Sequence, residues 1–74
     1  MSAMAHIHAP NGYYIGQVRK SGFRIWETVT DKCVSAESAM SKAVLQMVGM
    51  HRARVLFIDS EGWYAPVQVM EAKR

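Results

Sequence analysis

The sequence predicts a two-layer α+β domain of ββαββ order, one helix packed on a four-stranded antiparallel sheet. Three observations lead there. One stretch, 35–50, carries its apolar residues at helical spacing. Segments rich in aromatic and β-branched residues stand in pairs on either side of it. Within each pair a short turn ending in glycine separates the two segments.

Residues 1–11 are Ala-rich and run into Pro10-Asn11-Gly12, so they read as a mobile tail ahead of a single domain over 12–74. His6 and His8 would share a face if extended and could meet His51 or Cys33 at a metal. Zinc sites take three or four ligands, and two from a mobile tail fall short. No metal and no cofactor are expected.

Segments 13–19 and 23–30 are the first expected hairpin, closed by Lys20-Ser21-Gly22 with the glycine in a left-handed bulge. That register sets Arg19 opposite Phe23, Gln17 opposite Ile25 and Gly16 opposite Trp26, whose ring would cover the bare glycine. In the helix, Ala36, Ala39, Met40, Ala43, Val44, Met47 and Val48 make one stripe, while Glu37, Ser38, Ser41, Lys42 and Gln46 point away. Ser35 can cap the first turn and Gly49 weakens the last. Segments 52–59 and 63–70 form the second hairpin around Ser60-Glu61-Gly62. Pro66 cannot donate to a ladder, which sends the last strand to an edge. A right-handed crossover then favours strand order 2-1-3-4, and 71–74 reads as a frayed charged end.

Alternation divides the strands into two faces. Tyr13, Ile15, Phe23, Ile25, Val29, Val55, Phe57, Trp63, Ala65, Val67 and Val69 are expected beneath the helix. The other face carries Tyr14, Val18, Arg24, Trp26, Thr28, Arg54, Leu56, Ile58, Tyr64, Gln68 and Met70. That is apolar for a face without a cover, and Trp, Tyr, Arg and Met are residues of interfaces. Tyr14, Arg24, Trp26, Arg54, Leu56, Ile58 and Tyr64 are therefore the expected partner-binding residues. Their occupant would be a foreign protein or a second copy of the chain. The same face supports an alternative, a nucleic-acid platform with Tyr14, Trp26 and Tyr64 stacking bases and Arg24 and Arg54 holding phosphates. Leu56 and Ile58 in its middle, and the lack of an RNP-type motif or phosphate loop, rank it second.

Composition sets the same limits. The chain has 74 residues, half of them apolar, with six Met and a net charge of +3 from nine Lys/Arg against six Asp/Glu. One small domain cannot bury that much apolar surface, which predicts self-association or a protein partner. The cations are scattered rather than clustered. A lone Cys33 fits a reducing cytoplasm, and no stretch resembles a secretion signal or a membrane span. The expectation is a cytoplasmic protein with no membrane partner. Asp31, Asp59 and Glu61 read as turn residues, and Cys33 and His51 fall at opposite ends of the helix, so a non-enzyme is expected.

Ser41-Lys42-Ala43-Val44-Leu45-Gln46-Met47 followed by Val55-Leu56-Phe57-Ile58 resembles one of the small phage-encoded anti-CRISPR proteins, inhibitors of type I interference complexes. The likeness spans about half the chain: an Ala- and Met-rich helix after a Gly-turned hairpin, then strand, short turn and strand to a basic C-terminus. It carries over no binding residue. It implies a non-catalytic protein that binds a host protein or ribonucleoprotein complex and blocks it.

Overall fold

In the computed structural model, residues 11–20, 22–47 and 51–73 are described. Strand β1 (Gly12–Lys20), strand β2 (Glu27–Thr28), helix α1 (Ala36–Leu45), strand β3 (His51–Asp59) and strand β4 (Val67–Lys73) follow in order. The sheet runs β2-β1-β3-β4, antiparallel throughout, so the ββαββ architecture and the strand order both hold. Of the tail expected over 1–11, residues 1–10 with both histidines lie outside the described residues, while Asn11 is hydrogen-bonded to Ser60 and Glu61.

Helix α1 begins where Ser35, in extended conformation, accepts a hydrogen bond from the Ser38 N–H at 3.1 Å. Ala39 and Ala43 are fully buried and Met47 nearly so, with Ala36, Met40 and Val44 packed beside them. The stripe is the one read from the sequence, but the helix is shorter. The Gln46 and Met47 N–H groups reach back three residues, to the Ala43 and Val44 carbonyls at 2.9 and 3.0 Å. Such tightened bonds end a helix. The expected final turn, 48–50, lies outside the described residues.

Strand β3 presents Val55 and Phe57 to the helix, as expected, and Ala53 with them. Strand β1 is turned the other way. Its register pairs Tyr14 with Phe57, Gly16 with Val55 and Val18 with Ala53. Tyr14 and Val18 are thus core residues, while Tyr13 and Ile15 share the face without the helix. Gly16 decides the matter. A Cβ built there would lie 2.7 Å from the Ala39 carbonyl oxygen and 2.8 Å from the Ala43 Cβ. The helix rides so close that only glycine fits beneath it, and no Trp26 ring covers that glycine.

Both turn glycines adopt the left-handed backbone expected of them, but the first turn closes one residue late and neither ladder resumes where expected. Gly22 and Gly62 adopt φ of +87° and +75°, and the Phe23 and Gly62 N–H groups donate to the Lys20 and Asp59 carbonyls at 3.0 Å. Yet β2 pairs only Glu27 with Val18 and Thr28 with Gln17, three residues later than the turn implies. Anchors further along set that register. Val29 N–H donates to the Gly16 carbonyl, Thr30 Oγ1 accepts from the Gly16 N–H, and Cys33 exchanges two backbone bonds with Tyr14. Phe23 and Ile25 are left 58% and 78% exposed in the loop.

In the second hairpin Pro66 precedes the ladder, and β4 starts at Val67 on the sheet edge. Glu71, Ala72 and Lys73, expected to fray, pair with Arg54, Ala53 and Arg52. A bulge between Val55 and Leu56 brings Val69 and Met70 both against the core, so Met70 is not on the open face.

Candidate functional site

The seven residues expected to bind a partner do not form one surface. Tyr14 is 5% exposed in the core, its ring 5.2 Å from that of Phe57. Burial, with the nearby Glu37 carboxylate second, pushes its hydroxyl above the ordinary tyrosine range. Leu56 is on the open face but only 9% exposed, and Ile58 is half-buried beside it. Arg24 is exposed in the loop before β2, and Tyr64 lies in the β3–β4 loop. Trp26 and Arg54 do meet.

The Arg54 guanidinium carbon stands 4.1 Å from the Trp26 ring centroid and that of Arg19 5.1 Å from it. Arg54 Nε donates to Gln17 Oε1 at 2.8 Å, and Gln17 Nε2 donates to Thr28 Oγ1 at 3.0 Å. Trp26 is thus held by two guanidinium groups on a polar strut across three strands. Burial lowers the Arg54 pKa first, and the Arg19 charge lowers it further, while Glu71 opposes both. Arginine remains charged at neutral pH through such shifts. The indole is occupied by cations, and Tyr14 and Tyr64 are elsewhere, so the base-stacking platform of the alternative reading does not form.

Alternation placed Tyr64 among the exposed residues but misplaced its neighbour. Trp63, expected beneath the helix, is 77% exposed, and Tyr64 next to it is 75% exposed. The loop that presents them is tightly hydrogen-bonded. Glu61 N–H donates to Asp59 Oδ1 at 3.0 Å, and the Ser60 N–H to the Asn11 carbonyl at 2.8 Å. The two Glu61 carboxylate oxygens accept from Asn11 Nδ2 and from Trp63 Nε1, the latter at 3.0 Å. An indole fixed by a carboxylate that is itself fixed loses little side-chain freedom on binding, which is what an interface anchor requires. Pro66 carried the sequence signal. A residue three positions before a proline that opens an edge strand has no ladder to place it under the helix.

Cys33 and His51 are far apart. Cys33 bridges to Tyr14 and His51 pairs with Lys20, six residues along β1, or about 20 Å of strand. Cys33 Sγ is 3.4 Å from the Asp31 carbonyl and is buried. Among the described residues no group of three His, Cys, Asp or Glu could hold a metal ion, and no helix is long and apolar enough to cross a membrane. The chain matches no protein-family model, and no curated protein or solved structure proved similar to it.

Proposed function

We propose that this chain is a non-catalytic protein-binding module whose anchor is the Trp63–Tyr64 tip of the β3–β4 hairpin. The observation that carries the reading is the Trp63 indole, three-quarters exposed and hydrogen-bonded by Glu61 at 3.0 Å. Burying such a ring in a partner's pocket releases its hydration at small entropic cost, the usual basis of a binding hot spot. Val67, four residues on at the start of β4, is also 52% exposed. The function that suits such a module, together with the resemblance in the helix and β3, is that of a phage or mobile-element inhibitor. It would bind a host effector complex in the cytoplasm, a type I CRISPR interference complex being the candidate, and block it without chemistry.

The test is expression in a host with active type I interference, scored by plaque formation of a targeted phage and by co-purification of the effector complex after nuclease treatment. Restored plaquing and nuclease-resistant co-purification, both lost in Trp63→Ala, are expected. Unrestored plaquing with no co-purification would remove the inhibitor reading.

A further inference from the structure

On the face away from the helix, the strand registers line up the side chains in rows. Arg19 of β1 stands opposite Arg52 of β3, which stands opposite Lys73 of β4. In the next row Thr28, Gln17, Arg54 and Glu71 follow across all four strands. These two rows hold four cations and one carboxylate, and that carboxylate is engaged by Arg52 at 2.8 Å. The surplus of three equals the formal net charge of the whole chain. Like charges directly opposite one another across strands destabilise a sheet. Here three occur in one row, and Arg52 Nε is buried with no hydrogen-bond partner. The sequence reading missed this cluster because its members are scattered along the chain and only the register brings them together.

We infer that this row of Arg19, Arg52 and Lys73, with Arg54 behind it, is a docking surface for the sugar–phosphate backbone of a nucleic acid. Neighbouring strands lie about 4.8 Å apart, so the three cations span about 10 Å, enough to meet successive phosphates of a strand. Phosphate relieves the mutual repulsion of the row, and arginine matches its oxygens two at a time. Trp26 already has guanidinium groups 4.1 and 5.1 Å from its ring centroid, so the contact is to backbone rather than to stacked bases. Binding is therefore indifferent to sequence. The surface lies toward the opposite end of the strands from the Trp63 tip, since seven residues of β3, about 23 Å, separate Arg52 from Asp59. It goes beyond the protein-binding reading and stands or falls separately from it.

The experiment is fluorescence anisotropy of the full chain with labelled 20-nucleotide single strands of two unrelated sequences, the matching duplex, and a poly-glutamate peptide of equal charge. Dissociation constants within about 10⁻⁶–10⁻⁴ M, equal for the two sequences, are expected for the oligonucleotides. Three neutralised phosphates on a single strand give a log–log salt slope of about −2, or roughly 20-fold weaker binding from 50 to 200 mM salt. Arg19→Gln combined with Lys73→Gln should weaken binding at least about tenfold at low salt while the domain stays folded, because relief of the repulsion offsets the lost Arg19–Trp26 contact and neither side chain is in the core. Trp63→Ala should bind the strands as the unaltered chain does. Duplex preferred over single strand would identify the source of the phosphates without changing the site. No binding at 50 mM salt, full binding by the double variant, or equal binding of poly-glutamate would overturn the assignment.

Discussion

The Ala43 methyl group occupies the space that a side chain on Gly16 would need, at 2.8 Å from where its Cβ would be. This contact fixes which face of β1 lies under the helix, and so places Tyr14 and Val18 in the core and Tyr13 and Ile15 outside it. Gly16→Ala is expected to force the helix outward against the Ala39 carbonyl as well, a backbone atom that cannot swing aside. A loss of about 1–3 kcal/mol, the usual range for overpacking, should appear in chemical denaturation. An unchanged midpoint would mean that the helix has room to move.

How much the sequence disclosed follows from the same contact. The helix stripe was legible because Ala39, Ala43 and Met47 recur at one period and no second apolar stripe competes. The faces of β1 were not. Tyr13 and Ile15 on one side are as apolar as Tyr14 and Val18 on the other, and alternation cannot choose between them. The choice is made by how near α1 comes to Gly16, a tertiary distance. The late register of β2 is likewise set by Val29, Thr30 and Cys33 anchoring along β1 rather than by the turn at Gly22. Trp63 was misplaced for a local reason, since its alternation with Ala65 and Val67 mimics a strand that Pro66 prevents.

Ser35 supplies the one side-chain cap identified for α1, accepting from Ser38 N–H at 3.1 Å. Ser35→Ala should destabilise the domain by about 0.5–2 kcal/mol, and Ser35→Asp should restore most of it. Thermal melts of the three proteins check the order. Equal stability of all three would show that the cap contributes nothing.

The stability of the domain should fall in alkali through Tyr14. Burial raises its folded-state pKa above the ordinary value of 10.0, the value expected of the unfolded chain. A folded pKa above the unfolded one leaves stability intact below pH 10. Stability is then lost as pH rises from there through the folded pKa, because the unfolded state releases its proton first. Tyr14→Phe should flatten that decline in denaturation midpoints measured between pH 8 and 11. An identical slope in the variant would assign the alkaline loss to other groups.

Trp26 and Arg54 should be energetically coupled. Arg54 also bonds Gln17, so single variants mix two interactions, and the pair is isolated only by a double-mutant cycle with Trp26→Ala and Arg54→Ala. A coupling of about 0.5–2 kcal/mol is expected for a partly buried cation over an indole. Additive losses would show that the ring and the guanidinium are merely adjacent.

The Trp63 anchor is tested most directly by measuring stability and partner affinity on one preparation of Trp63→Ala. The ring is 77% exposed, so its removal should shift the unfolding free energy by no more than about 0.5 kcal/mol. Affinity for the captured effector complex, by titration calorimetry, should fall by at least about 2 kcal/mol, or roughly 30-fold. A variant that binds as tightly as the unaltered chain, or one that unfolds, would contradict the account.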